Sequence, residues 1–353
     1  MRLAERTIGP DHPPYIIAEI GVNHDGSTQR ALQLAEAAKH AGADAVKVQY
    51  FEAGALMSRA CRLAAYQQAA GESDPIEMLR HLEVNIEAMS EIVRYAHSLG
   101  LGAIVTIFSL EHAPLASGLE WDAIKVASPD IVNTPLLTAL ASCCKPMILS
   151  TGAADGDEIG RALSICGDML LHCVSAYPTP DENAQLAGIA ALSDLVASGQ
   201  MNREIIVGYS DHTTSPDTGA LAVIAGASVL EKHLTWSRGA KGPDHAASLD
   251  PALLGRYVHE AHRAQSMLGP RRIIVQPIEQ EVRTVSRQSI VSKRDLRAGE
   301  TLSRADLTLK RPGTGLPPWM LDHLDSRRVR RNVAADTPLT AEDVESLPER
   351  TDG

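Results

Sequence analysis

Two histidines, His212 and His233, sit 21 residues apart in the segments GYSDHT (208–213) and LEKHLT (230–235), each beside a carboxylate, Asp211 and Glu231. Both segments follow apolar runs. Histidines on neighbouring strand ends, about 4.8 Å apart, could share one divalent ion at about 2.0–2.2 Å. With no carboxylate ligand, such a pair leaves positions for water and substrate, which suits Mn2+ or Mg2+ acting as a Lewis acid better than a closed zinc site. The alternative is that each ring only fills space and hydrogen-bonds a neighbour.

Lys47 in AVKVQYF and Lys125 in AIKVAS hold comparable places in two other apolar runs. As point charges they suit a phosphate or carboxylate, with Ser128, Ser150 and Ser210 as hydroxyl donors. Two other readings stay open: a Schiff-base lysine of the aldolase kind, or lysines merely paired with buried carboxylates. Glu19 opens AEIGVNHDGS, with Asn23 and His24 in the loop that follows. Its carboxylate could orient a sugar hydroxyl, manage a proton, or pair with Lys47. KGPDHAASLDP adds Asp244 and His245 to the same group of loops, unless it is an ordinary turn.

Such residues need a scaffold that gathers strand ends. Eight β-rich runs, at 15–20, 45–51, 102–108, 123–128, 147–151, 169–175, 205–210 and 228–234, are separated by helical stretches. In TQRALQLAEAAKHAGA, Ala31, Leu34, Ala35 and Ala38 share one helical face. Most runs lack polar alternation, as parallel strands buried on both faces do. Eight βα units in roughly 270 residues make an α/β (β/α)8 TIM barrel, whose chemistry sits at the C-terminal strand ends. Here those ends carry Glu19, Lys47, Gln49, Lys125, Ser128, Ser150, His172, Ser175, Ser210, His212, Lys232 and His233. An open doubly wound sheet is the competitor, but no GxGxxG follows the first strand.

Composition changes after SMLGPRR. The expected organisation is a barrel over 1–272, a linker over 273–285, and a small β-rich domain over 286–353, in which AGETL…ADLTLKRPG and AADTPLTAEDVE form a pseudo-repeat, each half a turn leading into a short apolar stretch and then an acidic helix start. The net charge of −11 argues against a broad nucleic-acid surface. No apolar run reaches the ~20 residues of a membrane span and the N-terminus lacks an apolar signal core, so the expected location is cytoplasmic. Five cysteines without metal-ligand spacing suit a reducing compartment.

In order, IIAEIGVNHDGS, AGADAVKVQ, ILSTG, HCVSAYPTP, GYSDHT, LEKHLT and GPDHAASLDP resemble the phosphoenolpyruvate-dependent sialic acid synthase family. The tail with KRPGTG resembles its antifreeze-like (SAF) domain. The resemblance implies condensation of phosphoenolpyruvate with an open-chain N-acetylmannosamine-type sugar, giving a nine-carbon 2-keto acid and phosphate. It implies His212 and His233 as metal ligands, and Lys47, Lys125, Ser128, Ser150 and Ser210 around phosphoenolpyruvate. Glu19, Gln49, Tyr177 and Asp244 would face the sugar. It further implies a domain-swapped homodimer in which Arg311 of KRPG reaches the N-acetyl group in trans. Two positions depart from the pattern: Ser175 replaces an expected Asn, and Asp130 an expected Glu. These leave the reaction class and unsettle the sugar. A legionaminate, pseudaminate or 9-phosphate product is the alternative within the family, and an idle carbohydrate-binding protein the alternative outside it.

Overall fold

The structure, a computed structural model, describes residues 1–345 except 65, 66, 69, 70, 72, 200–203 and 271. It divides into two compact units, Met1–Gly269 and Pro270–Gly353, and residues 346–353 of the expected C-terminal domain lie outside the described residues. Among the described residues no helix is long and apolar enough to cross a membrane.

The first unit opens with a short antiparallel hairpin, β1 (Arg2–Leu3) and β2 (Arg6–Thr7), which the sequence reading did not anticipate. Eight parallel strands then close into a barrel: β3 (Tyr15–Glu19), β4 (Ala45–Tyr50), β5 (Gly102–Ile107), β6 (Ala123–Val126), β7 (Met147–Ser150), β8 (Met169–Cys173), β9 (Ile206–Asp211) and β10 (Val229–His233). Pairing of β10 with β3, from Val229 opposite Tyr15 to His233 opposite Glu19, seals the ring. The expected (β/α)8 architecture is the one observed.

Local chemistry starts the surrounding helices where their apolar faces must begin. The Ser27 hydroxyl accepts the Arg30 N–H at the head of helix Thr28–Ala41, whose buried residues are Ala31, Leu34, Ala35 and Ala38. Asp155 and Glu158 form a capping box before Gly156–Ile165. Asp250 caps Pro251–Leu268, with proline in the first turn.

Side-chain alternation divides each strand between two cores. Ile17, Ala45, Ile104, Ala123, Ile148, Met169, Ile206 and Val229 fill the barrel interior together with Leu3 and Ile8 of the hairpin, which places the hairpin at the N-terminal end. Residues of opposite parity, such as Ile16, Val46, Val105, Leu170 and Leu230, pack with the helices. The interior is therefore stoppered at one end, and its polar residues collect at the other.

In the second unit, residues 273–285, expected as a linker, run into the helix Gln280–Ser286. Two antiparallel strands follow, β11 (Ser289–Ser292) and β12 (Leu307–Lys310), over a core that includes Ile290, Leu296, Leu307, Leu324, Val329 and Val344. The pseudo-repeat is structural. Leu296 and Val333, 37 residues apart, pair with each other, and each leads into a turn with one left-handed residue, Gly299 (φ 81°) and Asp336 (φ 62°). The acidic stretch after each turn is a 3-10 turn at Arg304–Asp306 in the first half and simple turns at 341–343 in the second, rather than a helix start.

Candidate active site

The inward faces of the strand ends enclose a cavity of about 360 Å³, within the usual size range of small-molecule sites, about 300–1,000 Å³. Lys47 from β4 and Lys125 from β6 reach into it, and both are nearly fully buried. Lys47 contacts the Glu19 carboxylate in a buried ion pair, donates to Thr106 Oγ1 at 3.2 Å, and lies 3.6 Å from Glu231 Oε1. Lys125 donates to Ser150 Oγ at 2.6 Å and to the Val126 carbonyl at 3.0 Å, and approaches Glu231 Oε2 at 4.0 Å. Glu231 thus sits between the two ammonium groups, and Ser210 Oγ donates to it at 3.1 Å.

Electrostatics follow from this arrangement. Burial opposes the Lys47 charge, but Glu19 and Glu231 outweigh it and raise its pKa. Burial also opposes the Glu231 carboxylate, which Lys125 and Lys47 nevertheless hold below the usual carboxylate range. For Lys125 burial dominates and lowers the pKa. The result is a buried floor of two lysines and two carboxylates, in which both lysines share Glu231 and Lys47 also pairs with Glu19. Beside it Ser128 and Ser175 converge on Gly152, whose N–H donates to Ser128 Oγ at 3.0 Å. A Cβ at 152 would stand 2.3 Å from Ser175 Oγ and 2.8 Å from Ser128 Oγ, so glycine is what lets both hydroxyls in.

His212, just past β9, and His233, the last residue of β10, meet with ring centroids 5.5 Å apart, and Tyr177 lies 4.0 Å from the His212 ring. His212 Nδ1 lies 2.9 Å from the Val174 carbonyl, which fixes the ring and leaves Nε2 for another partner. Burial, then the neighbouring His212, hold His233 well below the ordinary imidazole range, in the neutral form that ligates metals. Its buried Nδ1 has no hydrogen-bond partner and lies 3.6 Å from Asp244 Oδ2. These two rings fit a divalent ion as nitrogen ligands. Among the described residues no group of three or more His, Cys, Asp or Glu is placed to hold one, so water and substrate would complete the shell.

Of the residues singled out in the sequence, Lys47, Gln49, Lys125, Ser128, Ser150, Ser175, Tyr177, Ser210, His212, His233 and Asp244 all line this cavity. Glu19 does not; it lies fully buried behind Lys47, accepting the Gly21 N–H at 2.6 Å, so the salt-bridge reading of Glu19 is realised. Asp130 is likewise off the lining, on the 3-10 turn after β6, where burial raises its pKa to about 6. Arg311 stands exposed in the second unit, directly after β12. His172 and Lys232, read as mouth residues, do not line it either: the two-residue period turns them outward, His172 to the Ala184 carbonyl at 3.1 Å and Lys232 to Asp211 at 3.0 Å. His24, in the turn after β3, and His245, the first residue of the 3-10 turn His245–Ala247, are buried; Thr235 Oγ1 lies 2.7 Å from His245 Nδ1.

Sequence reasoning missed three contributors. Glu231 was noticed beside His233 but not placed in the site, although the strand period from His233 puts it inward. Thr106 on β5 was overlooked. The third is an apolar wall from the segment after β4, including Phe51, Met78 and Leu82, joined by Val22 and Phe108. It carries no short motif.

Comparison with known proteins shows the family. Residues 34–272 match the NeuB family and residues 287–345 the SAF domain. The N,N'-diacetyllegionaminic acid synthase of Legionella pneumophila is 36% identical, over 94% of this chain and 95% of its own. The N-acetylneuraminate-9-phosphate synthase of Mus musculus is 31% identical, over 97% and 95%. The crystal structure of N-acetylneuraminic acid synthetase from Leptospira borgpetersenii, in complex with citrate, superposes with a TM-score of 0.70 at 30% identity, covering 80% of this chain and 94% of that one. By these matches the chain belongs to the NeuB family of sialic acid synthase-like enzymes, with a SAF domain following the barrel in sequence.

Proposed function

We propose that the cavity condenses phosphoenolpyruvate with an N-acetylmannosamine-type aldose to give a nonulosonic acid and inorganic phosphate. The observation that carries this reading is the pair of buried lysines sharing Glu231 at the floor of a cavity that also presents two free imidazole nitrogens. An incoming anion replaces part of Glu231's role as counter-charge, and charge-assisted contacts of this kind are the strong ones. Lys47 and Lys125 bind the phosphate and carboxylate of phosphoenolpyruvate, with Ser128, Ser150 and Ser210 donating hydrogen bonds. C3 of phosphoenolpyruvate forms the new bond to the aldehyde carbon. Water then adds at C2, and phosphate departs with cleavage of the C2–O bond. A divalent ion, Mn2+ or Mg2+, held by His212 and His233 would polarise the aldehyde oxygen.

Gln49, Tyr177 and Asp244 orient sugar hydroxyls, and Ser175 lines the same side. Glu19 acts from behind by holding the Lys47 ammonium in place. Arg311 and the dimer belong to the proposal through the family resemblance, with the guanidinium serving the N-acetyl group of a sugar bound to another copy. The test is product analysis with phosphoenolpyruvate, a panel of mannosamine derivatives and Mn2+. Phosphate release should match sugar consumption, the product should have the mass of the aldose plus pyruvic acid, and a chelator should stop turnover. A borohydride-trapped adduct on Lys47 or Lys125 would instead establish the aldolase reading.

A further inference from the structure

Asn23 and His245 take no part in the chemistry proposed above, and both belong to a buried hydrogen-bond network behind Asp244. β3 and β10 are neighbours in the barrel, with Glu19 opposite His233, so the turn after β3 and the loop after β10 leave from adjacent strand ends. Asn23 is buried in that turn. Its Nδ2 donates to the Leu234 carbonyl at 2.9 Å and to Ser248 Oγ at 2.7 Å, and Ser248 Oγ donates in turn to the Asp244 carbonyl at 2.6 Å. Two residues further on, the Asp25 carboxylate lies 2.9 Å from His245 Nε2, accepts the Trp236 Nε1–H at 3.3 Å and pairs with Arg30. A carboxylate can only accept, so His245 Nε2 carries the hydrogen. Thr235 Oγ1, 2.7 Å from Nδ1, holds the other side of the ring. A Cβ at Gly242 would stand 2.8 Å from His245 Cδ2, so glycine there makes room for the imidazole.

Asp244 stands between these two fastenings. Its carbonyl is held by Ser248, and its chain neighbour His245 is held by Asp25 and Thr235. Its own carboxylate makes no hydrogen bond to the described residues, and its ion-pair contact is His233 Nδ1 at 3.6 Å. No side-chain bond aims that carboxylate, so its direction into the cavity is inherited from the backbone, and the backbone is fixed from the turn after β3. A group that must meet a substrate needs such support to stay within about 0.5 Å of its working position. We infer that Asn23, Asp25, His245 and Ser248 are positioning residues, which clasp the loop after β10 to the turn after β3 and thereby aim Asp244 at the aldose. This rests on the condensation proposed above and adds the residues that keep its sugar-facing carboxylate in place. The lysines that take phosphoenolpyruvate stand on β4 and β6, outside the clasp.

The experiment uses the full-length enzyme with phosphoenolpyruvate, Mn2+ and the mannosamine derivative it turns over. It compares Ser248→Ala, Asp25→Asn and Asp244→Asn with the double variants that join each of the first two to the third. Ser248→Ala removes the link to the Asp244 carbonyl. Asp25→Asn keeps the side-chain shape, withdraws the charge that holds His245, and serves where Ser248→Ala does not fold. Asp244→Asn retains a hydrogen-bonding side chain and with it a measurable rate. Each clasp variant should lower kcat/KM for the aldose about 10- to 100-fold, the scale on which a displacement of about 1 Å costs rate. Calorimetric titration of phosphoenolpyruvate should show its affinity unchanged. In the Asp244→Asn background the same substitutions should cost less than about 2-fold more, because residues that act through one another are not additive. Equal losses in both backgrounds, or a parallel fall in phosphoenolpyruvate affinity, would make the clasp a structural brace alone and overturn the inference while the condensation stands. Turnover of no mannosamine derivative by the parent contradicts the condensation itself, and the inference falls with it.

Discussion

Lysines and carboxylates are buried on both faces of the barrel wall, and the two sets have different fates. On the outer face Lys232 of β10 lies 3.0 Å from Asp211 of β9, its direct register partner, and donates to the Thr213 carbonyl at 2.6 Å. Both side chains have no solvent exposure and neither lines the candidate active-site cavity. On the inner face Lys47 and Lys125 share Glu231 against a cavity. Glu231 and Lys232 are adjacent in sequence. One strand position separates a closed pair that ties β9 to β10 from an open cluster that can exchange a carboxylate for a substrate anion. Residue type gives the charge, and the direction of the side chain gives it a use.

Single substitutions should pull these two faces apart. The largest effect on stability is expected for Lys232→Met, which strands the Asp211 carboxylate in the wall. The loss should be about 3–5 kcal/mol in denaturant unfolding, with phosphoenolpyruvate affinity of the folded protein unchanged. Lys125→Met should behave in the opposite way. Glu231 keeps Lys47 and Ser210 as partners, so the fold holds, while loss of one charge-assisted contact weakens phosphoenolpyruvate binding by about 1.5–3 kcal/mol, roughly 10- to 100-fold. The smallest effect should come from Asp211→Leu combined with Lys232→Met. Replacing a whole buried pair by apolar side chains is often neutral, but the buried Thr213 would lose the partners of its N–H and its carbonyl, so the double variant should lose about 1–3 kcal/mol, less than Lys232→Met alone. A double variant as unstable as Lys232→Met alone would mean that the outer pair does more than balance its own charges.

The barrel was legible because its strands are apolar, short and separated by helical stretches, and the end residues that mark its mouth are of types that burial normally excludes. The two inner lysines and the histidine pair were legible for the same reason. What was not legible depended on direction and on distance along the chain. His172 and Lys232 looked like mouth residues until the period of the strand turned them outward. Glu231 could have been placed inward by counting two back from His233. The hairpin β1–β2 has two-residue strands, too short for any periodicity, and its role as a stopper comes only from contact with the barrel interior. The apolar wall is assembled from Val22, Phe51, Met78, Leu82 and Phe108, far apart in sequence, and becomes a surface only after the barrel has closed. The 37-residue repeat of the second unit was visible because its turns recur at a fixed offset.

The account stands most directly on whether the inner lysines bind the anion. Calorimetric titration of phosphoenolpyruvate into the parent protein and into Lys125→Met, with unfolding curves recorded on the same samples, measures both halves of the comparison. The predicted result is binding by the parent, at least about 10-fold weaker binding by Lys125→Met, and closely similar unfolding midpoints. Undiminished phosphoenolpyruvate affinity in a folded Lys125→Met protein would contradict the central claim.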